Sequence, residues 1–238
     1  IISIDGDYSI SWNKIKKKLD TSINKNKKVI YLNFYECIYS HKTLNLYYKK
    51  NLSDHDTLFG KVTKNNIEKL LNIKKVNIFI NKFKKILLKK NNYDFIILLG
   101  TGINSIYISK DFDSKLYINL TKTNALISSK WESKGKTQTV SPNFFYYYIF
   151  PIMERYQKKK FSKIDYYVDN NHNDKYLILP ILDLYKILKK VSQEPLKLNP
   201  IYEPGVWGGK WLVNKRKLQI NNCAIGMELI GQEQNILI

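Results

Sequence analysis

The sequence predicts an α/β protein, a mainly parallel sheet flanked by helices, followed by a short β-rich segment. Three observations carry this. Continuous apolar runs of strand length, above all FIILLG at 95–100, belong to strands buried on both faces. They alternate with longer stretches whose apolar residues recur at helical spacing. After Pro195 the chain changes to turns and short alternating runs.

Each element has its own signal. IISID at 1–5 is a short apolar run closed by an Asp5-Gly6 turn, hence a buried strand. Ser11 offers an N-cap to a helix over 12–23, with Trp12, Ile15, Leu19 and Ile23 on one face. KKVIYLNFYECIY at 27–39 is β-branched and aromatic, a second strand. A polar loop follows at 51–63. Residues 65–90 read as two helices, the second gathering Ile78, Phe79, Phe83, Ile86 and Leu87 on one face. The run from Tyr93 ends in Gly100 and Gly102 and reads as a central parallel strand. LYINL at 116–120 is another strand. Residues 121–133 predict a helix, and 142–160 a longer one kinked at Pro151. IDYYV at 164–168 is a further strand and 178–191 a terminal helix. The domains are drawn at 1–195 and 196–238, the second too short to close a barrel or sandwich by itself.

Composition excludes several classes. At 238 residues with 44% hydrophobic and 25% charged side chains, the chain is globular and needs no staple to bury a core. No run reaches 18 apolar residues, so no membrane span is predicted. The opening residues lack the layout of a signal peptide, and two distant cysteines, Cys37 and Cys223, make no disulfide framework; a reducing, cytoplasmic setting is expected. The chain opens on Ile rather than Met and reads as a piece of a longer protein.

The formal charge of +20 suggests an anionic partner. Yet the only arginines are Arg155 and Arg216, and Lys, Asn, Ile and Tyr are overused together, as A/T-rich codons would produce. A nucleic-acid binder would enrich Arg for bidentate contacts, so the composition counts against that partner. The lysine clusters at 16–18, 84–85, 89–90, 158–160 and 189–190 read as solvated helix faces.

Three stretches concern chemistry. The turn after the first strand stands where a nucleotide-binding α/β protein carries its phosphate loop. Here it is Asp5-Gly6-Asp7-Tyr8-Ser9-Ile10-Ser11: one glycine, no Gly-Lys-Ser/Thr, and two carboxylates that would repel phosphate. An ordinary βα turn is the expected reading. Asp5, Gly6 and Asp7, with Gly100 and Gly102, are nonetheless the candidate ligand region. Asp54, His55 and Asp56 concentrate two carboxylates and an imidazole in the polar loop, as a base or metal site would, or as an Asx turn would. His41 and His172 are isolated and expected at the surface. No HxH, HxxxH or CxxC spacing exists, so local motifs assemble no complete metal site. The third stretch, Tyr202-Glu203-Pro204-Gly205-Val206-Trp207-Gly208-Gly209-Lys210-Trp211-Leu212, combines a turn, a Trp and two glycines that permit close backbone approach.

Two resemblances follow from these residues. Residues 93–100 and 115–120, with the helix expected over 121–134, resemble the later strands and lid helix of uridine kinase-like enzymes. In those enzymes lid arginines neutralise the transferring phosphate. Here the lid has Lys122, Lys130 and Lys134 instead, so the resemblance is to a P-loop kinase fold with a degenerate phosphate loop. Pro200, Tyr202, Trp207, Gly208, Gly209 and Leu212 resemble the opening of type I mannose-6-phosphate isomerases. The junction motif Pro204, Gly205, Trp207, Gly208, Gly209, Lys210, the later Met227-Glu228-Leu229-Ile230, the upstream Asp56-Thr57-Leu58-Phe59-Gly60 and Tyr167-Val168-Asp169 are similar to relatives in which a kinase-like region precedes a cupin-type barrel.

The resemblance implies interconversion of mannose 6-phosphate and fructose 6-phosphate on a zinc held by Gln, Glu and two His in the complete protein. After Trp207 this sequence has no histidine, so no zinc ligand transfers to it. The expectation is an incomplete isomerase-type cupin region, a chain inactive alone, no cofactor here, and a sugar phosphate or nucleotide as the small-molecule partner. The alternatives are a nucleotide-binding or phosphotransferase-like module using Asp5, Asp7 and Asp54, and, third, a lysine-rich nucleic-acid binder.

Overall fold

A computed structural model describes residues 1–49, 61–121, 124–126, 142–160, 163–172 and 175–193. The chain divides into two units, Ile1–Ile178 and Leu179–Ile238.

The first strand, β1 (Ile2–Gly6), leads into α1 (Trp12–Ser22), which buries Trp12 and Ile15. Ser11 precedes α1, but its side chain makes no cap bond; its carbonyl accepts from Lys14 and Ile15 instead. The second strand, β2 (Val29–Asn33), is shorter than its β-branched sequence predicts. Phe34–Cys37 turns into a 3-10 helix that drives Phe34 into the core, where its ring meets Phe79 edge-on at 5.0 Å. Helix α2 (His41–Lys49) has no counterpart among the sequence expectations. His41, expected at the surface, packs edge-on against Phe144 at 5.1 Å, and burial pushes its pKa down.

A 3-10 turn at Ile67–Leu70 precedes α3 (Ile73–Leu87). Asn72 caps α3, its side chain accepting from the N–H groups of Lys74 and Lys75. The buried face of α3 is Val76, Phe79, Ile80 and Phe83, whereas Ile78 stays 68% exposed. The stripe runs i, i+3, i+4, i+7 from Val76, and Ile86 and Leu87 pack against the same cluster, so of the expected face only Ile78 falls outside it. Strand β3 (Phe95–Leu99) buries Ile96 to Leu99 almost completely, as a central strand must.

Strand β4 (Ser114–Asn119) comes next. Of the helix expected over 121–133, Asn124 to Leu126 are described and helical. Residues 142–160 are continuously helical: a turn at Pro142–Phe144, a π-helix at Phe145–Ile149, then α4 (Phe150–Lys160). Pro151 has no N–H to give the preceding turn. The Tyr147 carbonyl, left without that N–H, accepts from the Thr63 N–H at 2.8 Å, and the helix widens to a π-turn just before the proline. Strand β5 (Tyr166–His172) begins two residues after the predicted start. The expected terminal helix begins later than 178, because β6 (Lys175–Pro180) occupies its first residues and Pro180 ends the strand. Helix α5 (Ile181–Gln193) buries Ile181 and Leu184 and carries an Asp183–Lys186 pair at 3.0 Å.

The six strands form one sheet in the order β2-β3-β1-β4-β5-β6. The pairs β2–β3, β3–β1, β1–β4 and β4–β5 are all parallel. The result is a mixed α/β fold with helices flanking the sheet. From β1 the chain passes beyond β3 to β2, and from β4 it runs the other way to β5. The connections therefore reverse direction between β1 and β4, and the carboxyl edge of those two strands is where open α/β sheets present a binding crevice. The main apolar cluster, including Leu32, Phe34, Phe79, Phe83, Ile96 and Leu98, fixes α3 against β2 and β3. The fold thus brings Asp5, Gly6, Asp7 and the exits of β3 and β4 to one edge.

Candidate functional site

Asp5 is the last residue but one of β1 and is fully buried. Its partner in register on β4 is Tyr117, which in turn faces Tyr167 on β5. Side chains in one row across a parallel sheet point to one face. Asp5, Tyr117 and Tyr167 therefore form a polar and aromatic band under α4. Tyr156 of α4 donates its hydroxyl to Asp5 Oδ2 in a short hydrogen bond. Gln157, next on α4, reaches the Tyr117 hydroxyl at 2.9 Å and Asn119 Oδ1 at 3.3 Å.

The remaining acceptor capacity of Asp5 goes to backbone. Oδ1 accepts from Gly6 N–H and Gly102 N–H, each at 2.7 Å, and Oδ2 accepts from Asn104 N–H at 2.9 Å. Gly102 can present its N–H this way because it sits at φ 85°, in the left-handed region. Gly100, at φ 151°, lets the end of β3 pass the exit of β2; a Cβ there would lie 2.2 Å from Tyr35 N. Asn104 also accepts the Ser3 hydroxyl at 2.8 Å, tying the β3 exit to β1 a second time.

Asp7 is 4% exposed in the turn itself. Its carboxylate accepts from Ser9 N–H at 3.3 Å, and its carbonyl accepts the Thr101 hydroxyl at 2.9 Å. Burial, partly offset by hydrogen bonds, pushes both Asp5 and Asp7 up to about 6. Burial first, then the neighbouring carboxylates, drives the Tyr117 and Tyr156 hydroxyls well above the usual phenol range, so both stay protonated. Groups titrating near neutrality at a strand-end crevice can hold or pass a proton.

The same turn is poorly built to receive phosphate. A phosphate loop aims unpaired backbone N–H groups at its ligand. Here Gly6 N–H goes to Asp5, Asp7 N–H to the Ile118 carbonyl at 3.1 Å, Ser9 N–H to Asp7, Ile10 N–H to the Asp7 carbonyl at 3.4 Å, and Trp12 N–H to the Ile10 carbonyl at 3.0 Å. The N–H groups of Gly102 and Asn104 serve Asp5.

At the neighbouring strand ends, Asn171 donates to Asp169 Oδ1 from its backbone, at 3.1 Å, and from its side chain. Thr121 N–H reaches Asn171 Oδ1 at 2.6 Å and the Asn124 amide bonds Asn171 as well. This net knits the exits of β4 and β5 together.

Of the residues singled out from the sequence, the fold gathers Asp5, Gly6, Asp7, Gly100 and Gly102 at one place. Asp54, His55, Asp56 and the junction residues Pro204, Gly205, Trp207, Gly208, Gly209 and Lys210 lie outside the described residues. Tyr156, Tyr117, Gln157 and Asn104 were not foreseen. A buried-strand aspartate does signal a need for partners elsewhere, but nothing local says that they come from about 100 and 150 residues away. Arg155 gives its guanidinium to the carbonyls of Thr63 and Asn65, at 2.6 to 3.2 Å, and so serves the scaffold. Lysines 84, 85, 89, 90, 158, 159, 189 and 190 are exposed. Lys16, Lys18 and Lys84 lie over the rings of Tyr31, Tyr176 and Tyr107.

Among the described residues no group of three or more His, Cys, Asp or Glu could hold a metal ion. Asp5 spends both carboxylate oxygens on N–H and O–H donors, so it is not placed as a zinc ligand. Among the described residues, too, no helix is long and apolar enough to cross a membrane.

Residues 1–193 match the family model described as "Domain of unknown function (DUF8485)". The chain belongs to this family. The match takes in every strand of the sheet and the whole of the Asp5 cluster, so that cluster is a feature of the DUF8485 region. Comparison with curated proteins finds no match.

Proposed function

We propose that this α/β region is a kinase-type scaffold that does not carry phosphate, and that it acts as the non-catalytic module of a mannose-6-phosphate isomerase-like protein. The observation that supports the first half is the Asp5 carboxylate seated among the N–H groups of Gly6, Gly102 and Asn104. An internal anion at that spot satisfies the donors and repels a second one. The strand order, with its reversal at β1 and β4, supports descent from a nucleotide-binding scaffold. The second half rests on the Pro204–Lys210 junction motif of the sequence. On this reading the cytoplasm is the setting, the module is regulatory or structural, and the lysine faces serve solvation rather than nucleic acid.

The test is a coupled assay for interconversion of mannose 6-phosphate and fructose 6-phosphate, with zinc supplied. The 238-residue chain is inert in it, and any longer product of the same gene is active. Turnover by the 238-residue chain alone overturns the reading.

A second reading has one observation behind it. Asp5 and Asp7 stand at the crevice with proton affinities near neutrality, as the base of a phosphoryl-transfer module would. It requires nucleotide binding at the β1 exit, which the internally bonded turn disfavours.

A further inference from the structure

A cavity of about 490 Å³ lies within the first unit and shares no lining residue with the Asp5 cluster. Its apolar walls are Tyr39, Tyr47, Tyr148, Leu71 and Ile73, with Asn65, Glu68 and Lys69 supplying polar groups. The volume falls in the range of small-molecule pockets, roughly 300 to 1,000 Å³.

The walls are held in place before any ligand arrives. Tyr39 N–H bonds the Leu70 carbonyl at 2.9 Å, and Ile38 bridges Leu71, which fixes the β2 exit against the 3-10 turn. The Asn65 carbonyl is gripped by Arg155, and the adjoining Thr63 N–H by the carbonyl that the π-turn releases. Tyr148 belongs to that π-turn, is 1% exposed, and receives a hydrogen bond contact from the Asn65 side chain at its hydroxyl. A π-turn that aims one of its side chains into a preformed pocket is a common mark of a working site.

The lining selects the ligand chemistry. The rings of Tyr39 and Tyr47 meet at 79° with centroids 5.9 Å apart. They form an angled corner, which offers phenol faces to C–H groups on two sides of a non-planar ring. One carboxylate and one ammonium line the cavity, so no single sign of charge dominates it. Phenol faces for C–H groups, with an amide, a carboxylate and an ammonium for hydroxyls, suit a chair-shaped polyhydroxylated ring. We infer that this cavity binds a neutral hexopyranose. The inference is independent of the isomerase-like reading, because it uses none of the Asp5 residues and none of the junction motif.

The experiment titrates the 238-residue protein with glucose, mannose and galactose, and with adenosine as the flat control, by ligand-observed saturation-transfer NMR and calorimetry. At least one hexose saturates, and adenosine does not displace it. Tyr47→Ala and Glu68→Gln, both at exposed positions, weaken that hexose by about tenfold while leaving the melting temperature in place. Saturation by none of the three hexoses overturns the inference. So does displacement by adenosine, or hexose binding that survives both substitutions unchanged.

Discussion

Asp7→Asn should make the protein more stable at neutral pH. Asp7 is 4% exposed and its proton affinity rises from 3.8 to about 6 on folding, with burial as the leading cause. A group whose folded pKa is raised favours the native state fully below its unfolded pKa. That contribution is lost as pH climbs from about 4 through about 6. The displacement corresponds to about 3 kcal/mol at pH 7.5, at about 1.4 kcal/mol for each pH unit. Asparagine keeps an oxygen for Ser9 N–H but loses the charge-assisted part of that bond, worth about 1 kcal/mol. The net gain is then about 2 kcal/mol at pH 7.5 and near zero at pH 4. In a chain of this size it raises the melting temperature by about 4 to 8 °C. Thermal unfolding of wild type and variant across pH 4 to 8 reads it directly. A variant no more stable at pH 7.5, or one whose gain is equal at both ends of the range, refutes the claim that Asp7 is held as a costly buried charge.

Tyr156→Phe removes the hydroxyl donor from Asp5. The loss is about 1.5 to 3 kcal/mol at pH 7.5 and smaller at pH 4.5, where Asp5 is protonated; a pH-independent loss in denaturant melts contradicts it. Gly100→Ala puts a Cβ 2.2 Å from Tyr35 N, against backbone that cannot yield, so soluble folded protein should be lost, as seen by circular dichroism and gel filtration. A folded Gly100→Ala variant would mean that the β2 and β3 exits are less tightly apposed than described.

The sheet was legible where the code is local. Ile96 to Leu99 announce a central strand by unbroken apolarity, and β1 and β4 by apolar runs meeting turn residues. Legibility failed where distant packing overrode local preference. Residues 34–37 have strand-forming side chains, yet Phe34 gains more by entering the core beside Phe79 than by extending β2. Strand β6 was hidden because KYLILP runs straight into helix-forming ILDLYKIL without a polar break. At the site, the sequence exposed Asp5, Asp7 and the two glycines, since acidic residues after an apolar strand stand out. It was silent on Tyr156 and Asn104, because a tyrosine on a helix and an asparagine after a glycine turn look the same whether or not a buried carboxylate awaits them. One glycine and two carboxylates make an ordinary βα turn the expectation there; that the turn's N–H groups pair within the protein could be read only from the structure.

The proposal that Asp5, seated among the Gly6, Gly102 and Asn104 amides, leaves no room for a phosphate is tested most directly by calorimetric titration with ATP and magnesium at pH 7.5. The account predicts no heat of binding up to millimolar nucleotide. Saturable binding of the nucleotide, weakened when Asp7 or Thr101 is substituted, would contradict it and place a working phosphate site at the end of β1.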